Sequence, residues 1–268
     1  MTASAGEQER FLRDFHGRNP GVTARAMARG PSYDAVVREV AGATRVLDLG
    51  CGDGHLLERL VGPGRRSFGI DLSEVELAAG AARGCRAGLM QGRAHALPLR
   101  DACVDAVVSH LAFTLMHDPD GVVVEVARVL AGGGRFVAVV GGGPRGDAAG
   151  DAFTGLLELA APLVRKAAVP RLGDVRARSD AGLRALFAPA RGWSSLRVDE
   201  LPIDLSGSPD EVWEVLAGSY ELDGVDATSV ADLRARFLAR CDRWRRSDGA
   251  IACGLAARLM VATRVARE

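Results

Sequence analysis

A glycine-rich turn between an apolar strand and an apolar helix constrains this chain more than any other feature. Residues 46–49 are apolar apart from Asp48, and glycines then stand at positions 50, 52 and 54. Glycine allows a tight turn and a close approach of the backbone to a ligand, which a Cβ would block. The leucines at 56, 57 and 60 give the next segment one apolar helical face. Because open α/β sheets bind ligands beyond the carboxyl ends of their strands, this turn predicts a small-molecule site.

The length, composition and charge of the chain favour a globular protein and give no sign of a nucleic-acid or membrane partner. The chain has 268 residues, of which 48% are hydrophobic, and this suffices for one large α/β domain or two small ones. The formal net charge is zero, so the total charge does not point to a polyanionic partner. Because no run of about 18 or more apolar residues is present, no membrane span is expected. No basic segment followed by an apolar segment opens the chain, so no secretory leader is expected either. The five scattered cysteines fit reduced thiols in the cytoplasm better than a disulfide framework or a zinc site.

A second apolar segment also ends at an acidic residue. Residues 70–72 are typical of a strand that contains Asp71, and Ser73 with Glu76 forms an S-x-x-E pattern that predicts a capping box. The two oxygens of a carboxylate at this place can accept hydrogen bonds from adjacent ribose hydroxyls. NAD-dependent oxidoreductases use an acid at a similar spacing, so Asp71 alone does not separate the two cofactor classes. His55 stands where a dinucleotide fingerprint has its third glycine, which argues against NAD.

Four sequence blocks, in the expected order, resemble the class I S-adenosylmethionine (SAM)-dependent methyltransferases. The pattern D-x-G-x-G-x-G at residues 48–54 resembles their motif I, and residues 125–134 resemble their signature E-x-x-R-V-L-x-P-G-G. Between these, residues 89–99 resemble the block G-D-A-x-x-L-P-F, and residues 104–109 resemble the fourth motif. The resemblance covers about residues 44–140. It implies an α/β fold with a Rossmann-like, seven-stranded, mostly parallel sheet, an antiparallel last strand, helices on both faces and a helical cap.

The resemblance also implies a set of cofactor-binding residues. It places the amino end of the methionine moiety at Asp48 and the ribose at Asp71. Arg93 stands where the family has an acid that holds the adenine, and arginine cannot accept a hydrogen bond from the adenine amino group. Arg93 would therefore stack on the ring or point to solvent, with recognition left to the backbone of the next two residues. The residues carried over for the cofactor SAM are Asp48, Gly50, Cys51, Gly52, Asp71, Leu72, Arg93, Ala94, His95 and Ser109.

The carboxyl end of the fourth strand is the expected meeting place of the substrate and the methyl group. His110 and His117 are the nearest candidates for a catalytic general base, because an unperturbed imidazole titrates near neutral pH. In the alternative interpretation, His110 packs against the cofactor without transferring a proton, and His117 caps the loop at Asp118. The sequence has no acidic cluster with obvious metal-ligand spacing, so no metal ion is predicted.

The segments outside the matched region are expected to close the site. Residues 1–43 would form a helical lid and residues 44–141 the SAM-binding core. Residues 142–268 would complete the core and insert a helical cap at about 205–250, because strands six and seven are too far apart in sequence for a hairpin. The candidate substrate-pocket residues are His16, Tyr33, Trp213 and Tyr220, and core packing is the alternative role for each of them.

The combined interpretation is methyl transfer from SAM to an oxygen, nitrogen or carbon nucleophile of a small metabolite, with release of S-adenosylhomocysteine. The expected partner is a small-molecule substrate, without nucleic acid or a membrane, and either a monomer or a homodimer fits. One alternative is a non-catalytic SAM-binding protein, for which Arg93 is the best support. The others are an NAD-dependent oxidoreductase and a methyltransferase that acts on RNA or protein.

Overall fold

A seven-stranded sheet organises the fold. The structure is a computed structural model that describes residues 4–28, 30–145, 150–167 and 169–266. The strands are β1 (Arg45–Leu49), β2 (Arg66–Asp71), β3 (Gly88–Gln91), β4 (Val104–His110), β5 (Leu130–Pro144), β6 (Trp193–Asp204) and β7 (Gly254–Arg264). Their order in the sheet is β3-β2-β1-β4-β5-β7-β6. The first five strands are parallel, and β7 pairs antiparallel with both β5 and β6. The predicted mostly parallel sheet with an antiparallel last strand is confirmed.

The central strand β1 lies where the strand order reverses. Strands β2 and β3 follow it on one side, whereas β4 returns to its other side. Val46, Leu47 and Leu49 are at most 1% exposed, as expected for a parallel strand that helices cover on both faces. A reversal of this kind leaves a crevice beyond the carboxyl ends of the two strands that flank it. The glycine turn after Leu49 therefore opens into this crevice.

Helices cover both faces of the sheet. They are α1 (Ala5–Arg18), α2 (Val22–Met27), α3 (Ser32–Glu39), α4 (His55–Leu60), α5 (Glu74–Ala82), α6 (Pro119–Val129), α7 (Ala152–Ala167), α8 (Asp180–Leu186), α9 (Pro209–Ala217) and α10 (Ala227–Leu238). Helices α6 and α8 pack on one face through Val126 and Leu183. Helices α3 and α4 pack on the other face through Val36 and Leu60. Among the described residues, no helix combines the length and the apolar character that a bilayer span requires.

A further apolar cluster, beside the sheet, forms the cap. Helices α7, α9 and α10 contribute Leu156, Trp213 and Phe237 to this cluster. Two of these helices lie between β6 and β7, in residues 205–253. Helix α9 begins with the capping box of Ser208 and Glu211 that its sequence pattern favours. The cap thus has an apolar core of its own, which holds the connection between the last two strands in place.

Candidate active site

Two adjoining cavities lie beyond the carboxyl ends of β1 and β4. The first has a volume of about 310 Å³ and the second a volume of about 130 Å³. Both cavities are lined by His16, Gly50, Asp71, Ala112 and Leu115. Because they share these residues, the two cavities lie side by side between the N-terminal helix, the glycine turn and the loop after β4, and together they are called the trough.

The glycine turn forms the floor of this trough. Gly50 has a φ of +72°, in the left-handed region that favours glycine. A Cβ at this position would overlap the side chain of Ala112, which follows β4. The N–H of Gly50 donates to the carbonyl oxygen of Ile70 at 2.8 Å, so the turn is tied to β2. Only glycine permits this close approach of the turn to the loop after β4.

Asp48 presents a buried carboxylate to the first cavity. Its residue is 1% exposed, and neither side-chain oxygen has a hydrogen-bond partner among the residues that the structure describes. Burial, together with the charge of Asp71, raises the pKa of the Asp48 carboxyl to about 8. A buried carboxylate without a partner is costly unless a cation or a hydrogen-bond donor satisfies it. The ammonium group of a methionine moiety meets that requirement.

Asp71 lines both cavities at the end of β2. Its carboxylate accepts the N–H of Gly52 and the N–H of Ser73, each at 2.8 Å. Burial raises the pKa of Asp71, while these two hydrogen bonds act in the opposite direction. Each carboxylate oxygen can accept more than one hydrogen bond. The carboxylate is therefore held in position by the backbone and still has acceptor capacity for hydroxyl groups of a ligand.

Glu76 departs from its predicted role as a capping-box residue. The backbone half of the box forms, because the N–H of Glu76 donates to Ser73 Oγ at 3.3 Å. The Glu76 side chain instead accepts the N–H of Gly21, at 2.9 and 3.1 Å, and contacts His16 Nδ1 at 2.8 Å. In a capping box, the Glu76 side chain would accept the N–H of Ser73. Here that N–H donates to the Asp71 carboxylate instead. Glu76 is 3% exposed, so the core binds the N-terminal segment through a buried carboxylate.

His16 joins the N-terminal helix to both the core and the cap. Its Nδ1 contacts Glu76, and its Nε2 lies 2.9 Å from the hydroxyl of Tyr220, in the short 3-10 helix Tyr220–Leu222. The Tyr220 ring also packs against Phe15, with ring centroids 4.4 Å apart. Burial raises the pKa of Tyr220, so this hydroxyl stays protonated over the physiological range. Residues far apart in the chain thus meet at one side of the first cavity.

His110 is packed and hydrogen-bonded at the end of β4. Its Nε2 lies 2.9 Å from Ser32 Oγ, and its ring stacks on Tyr33 with centroids 4.1 Å apart. His110 is 8% exposed. Burial, with a smaller effect of nearby His55, lowers the pKa of His110 to about 3. The imidazole is therefore neutral at physiological pH, and one of its nitrogens is already occupied by Ser32.

The second cavity is bordered by His95 and His117, and their ring centroids lie 5.6 Å apart. Arg93 lies on the same border and donates through Nε to Glu9 of helix α1 at 3.1 Å. Arg93 is thus paired with the N-terminal helix, an arrangement that neither sequence-based alternative for this residue included.

Most of the predicted site residues line the trough. Those in the first cavity are His16, Tyr33, Asp48, Gly50, Cys51, Gly52, Asp71, His110 and Tyr220. Those in the second cavity include Leu72, Arg93, Ala94, His95 and His117. The catalytic candidates His110 and His117 therefore lie in different cavities. No sequence pattern singles out Ser32, Gly21 or the side-chain role of Glu76, because their contacts are made across the chain.

Two predicted site residues lie away from the trough. Ser109 is fully buried and lines neither cavity. Successive side chains of a strand point to opposite faces, so Ser109 turns away from the cavity that its neighbour His110 lines. Trp213 also lines neither cavity, because it faces the apolar core of the cap and packs against Phe237 with ring centroids 5.6 Å apart. The geometry therefore gives no support to the predicted cofactor contact of Ser109 or to the predicted pocket position of Trp213.

Known proteins with similar sequences share the region around the trough. A family model described as a methyltransferase domain matches residues 47–138. A probable SAM-dependent methyltransferase of Mycolicibacterium smegmatis is 35% identical over 105 residues, which are 39% of this chain and 40% of that protein. A malonyl-[acyl-carrier protein] O-methyltransferase of Methylococcus capsulatus is 36% identical over 127 residues, covering 43% of this chain and 44% of that protein. The chain thus spans less than half the length of these two curated relatives.

The whole fold is similar to that of a solved structure. The YcgJ protein of Bacillus subtilis superposes with a TM-score of 0.58 at 22% sequence identity, over 88% of this chain and 99% of that one. At this identity the likeness concerns the fold alone. The sequence matches and the sheet order agree on the same core. The match to a methyltransferase domain thus covers residues 47–138, and the curated relatives that resemble this chain are described as methyltransferases.

Proposed function

We propose that this protein transfers the methyl group of SAM to an oxygen, nitrogen or carbon nucleophile of a small molecule and releases S-adenosylhomocysteine. The observation that carries the proposal is Asp48, a buried carboxylate without a partner among the described residues, at the end of the strand that leads into the glycine turn. An ammonium group would stabilise the ionised form of this carboxyl, whereas the negative charge of a pyrophosphate would oppose its ionisation. The site therefore favours SAM over a dinucleotide.

The residues along the trough fit the parts of SAM in order. Asp48 would hold the ammonium group, and the Asp71 carboxylate would accept hydrogen bonds from the ribose hydroxyls. The second cavity, with Leu72 and the backbone of Ala94 on its border, would receive the adenine. Bound SAM supplies a methyl group that its sulfonium already activates. The protein then has mainly to orient the nucleophile and, for a hydroxyl or an amine, to accept a proton.

His16 is better placed than His110 to accept that proton. A carboxylate can only accept a hydrogen bond, so the contact with Glu76 places the proton of neutral His16 on Nδ1. Nε2 is then the basic nitrogen, and it accepts from the Tyr220 hydroxyl at the border of the first cavity. A substrate hydroxyl that displaced Tyr220 would meet this nitrogen directly. His110, with a lowered pKa and a hydrogen bond to Ser32, would support the pocket without titrating.

The dimensions of the first cavity favour a small substrate. Its volume of about 310 Å³ falls within the size range of small-molecule sites, and its lining mixes apolar side chains with a few polar groups. The N-terminal helix and the cap border it on two sides, which favours a compact ligand over a polymer. The free cysteines are compatible with a location in the reducing cytoplasm.

Calorimetric titration with SAM, S-adenosylhomocysteine and NAD tests the cofactor assignment. The cofactor assignment would be supported if SAM and S-adenosylhomocysteine bind and NAD does not. It would be refuted if only NAD binds. A screen of small metabolites for release of S-adenosylhomocysteine and a mass gain of one methyl group then tests the activity. Tight SAM binding without any methylated product would favour the non-catalytic alternative. A steep salt dependence of RNA binding would favour an RNA substrate, because phosphate contacts release counterions.

The role of His16 is tested by comparing two variants with the unchanged protein. His16→Asn should retain SAM binding and lose turnover at all pH values, because asparagine does not accept a proton in this range. His110→Asn should lower stability and leave the pH dependence of turnover unchanged. If His16→Asn retains full turnover, the proton acceptor is another group.

A further inference from the structure

Three potential metal ligands meet at the outer border of the second cavity. Glu9 lies on helix α1, His95 lies in the segment after β3, and His117 lies just before α6. Each offers one donor atom, and these three atoms all lie within 4.8 Å of one another. The three residues come from separate parts of the chain, so the tertiary fold brings them together. None of them contributes to the acceptor groups assigned above to the ammonium or the ribose.

The donor set suits a divalent transition-metal ion. Two imidazole nitrogens and one carboxylate oxygen are the ligands that Zn²⁺ and similar ions prefer, with bonds of about 2.0–2.2 Å. Three protein ligands leave a fourth tetrahedral position for water. The three donor atoms lie within 4.8 Å of one another, close enough to be considered as ligands of one ion.

Arg93 is the main group that competes for this site. Its Nε donates to Glu9 Oε2 at 3.1 Å, which neutralises the carboxylate and occupies one of its oxygens. The Arg93 side chain is 53% exposed, so it can move into solvent when a cation approaches. Asp118 is another charged residue on this border, and its carboxylate already caps α6 by accepting the N–H of Gly121 at 3.0 Å.

We propose that Glu9, His95 and His117 bind a divalent transition-metal ion of the Zn²⁺ type, which links helix α1 to the core at the second cavity. The bound ion joins the first helix of the chain to two segments that border the cavity assigned to the adenine. Access to this cavity would then depend on the ion, because helix α1 could not move away without breaking a coordination bond. Formation of the site does not require methyl transfer, since none of the three side chains is assigned to the ammonium group, the ribose or the proton acceptor under the proposed function.

The test uses the full-length protein, first freed of metal with a chelator. Zn²⁺ is titrated by calorimetry, and Co²⁺ is added separately to record the visible absorption spectrum. We expect saturable binding of one ion, with a cobalt spectrum that lacks thiolate-to-metal charge transfer. Glu9→Gln, His95→Ala and His117→Ala should each weaken binding by about tenfold or more, as loss of a ligand requires. Glu74→Gln, on the exposed side of α5, is the matched control and should leave the affinity unchanged.

Two further variants distinguish this site from metal binding at thiols and from loss of folding. Arg93→Gln should strengthen Zn²⁺ binding, because it removes the competing cation. An unchanged unfolding transition of this variant would show that the gain does not come from thiols exposed by misfolding. Replacing Cys85 and Cys103 by serine removes the two thiols that are not fully buried, and binding should persist. The proposal would be overturned by the absence of saturable binding. It would equally be overturned if binding survived all three ligand substitutions, or if the cysteine substitutions abolished it.

Discussion

The buried carboxylate of Asp48 should make SAM binding release a proton. Burial and the charge of Asp71 raise its pKa from the usual 3.8 to about 8, so the neutral form prevails in the ligand-free protein at neutral pH. For a carboxyl group, each unit by which the pKa is raised stabilises the neutral form over the ionised form by about 1.4 kcal/mol. An ammonium group placed beside the carboxylate reverses this preference, since it supplies the charge that the cavity lacks. The proton on Asp48 must then leave as the ligand binds.

The size of the effect follows from this pKa. With a pKa of about 8, roughly nine carboxyls in ten are protonated at pH 7, so binding should release about 0.9 proton. The dissociation constant of SAM should then fall about tenfold between about pH 6 and about pH 7. In Asp48→Asn this dependence should vanish. The variant should also bind SAM about 10- to 100-fold more weakly at pH 7, from the loss of a charged hydrogen bond of about 1.5–3 kcal/mol.

Calorimetry in buffers of different ionisation enthalpy counts the released protons. The titrations should be made at or below about pH 7, where an α-amino group keeps its own proton. Asp34→Asn is a suitable control, because Asp34 is an exposed carboxylate paired with Arg59 on the protein surface. The role assigned to Asp48 is wrong if SAM binds the unchanged protein without proton release, or if Asp48→Asn releases as many protons as the unchanged protein.

Substitutions of three glycines by alanine lead to further predictions, all measured by chemical denaturation. Gly50→Ala should lower the free energy of unfolding by about 2–5 kcal/mol, because a Cβ would be strained at positive φ and would overlap Ala112. Gly64 is the control, because it has a similar φ of +74° but open space around it. Gly64→Ala should lower the free energy of unfolding by only about 1 kcal/mol. If the two variants lost equal free energy of unfolding, the overlap with Ala112 would be contradicted. Gly155→Ala would direct a Cβ into the ring of Trp244 and should cost about 1–3 kcal/mol by displacing α7 from the cap. An unchanged stability of this variant would show that the cap repacks freely.

The sheet could be predicted from the sequence because its signals are local. The apolar run before the glycine turn specifies a buried parallel strand, and the acid at Asp71 marks the end of the next strand. The resemblance of residues 125–134 to a family signature then set the position of β5. The interior of the cap was less predictable. The apolar helix face that contains Trp213 would look the same in the sequence if it lined a pocket or if it packed in the core of the cap. The sequence therefore does not distinguish a pocket position from a core position for this residue.

The cofactor side of the site was more predictable than the proton-transfer side. The positions of Asp48 and the glycine turn can be predicted from residues that lie only a few positions apart in the sequence. By contrast, the S-x-x-E pattern at Glu76 predicts a capping box, and only the tertiary structure shows the carboxylate turned towards the N-terminal segment. His110 is predicted as a general base because it lies at the end of β4. No local sequence pattern indicates that Ser32 is its hydrogen-bond partner.

The contact between His16 and Tyr220 has a consequence for the synthesis of the chain. The two residues are 204 positions apart. Ribosomes add about 5–20 residues per second, so the N-terminal helix waits about 10–40 seconds for its partner to be made. During that interval the glycine turn and the strands around it emerge and can fold, while one side of the trough is still missing. The nascent protein would therefore hold its cofactor loosely, and firm retention would begin only when the cap is complete.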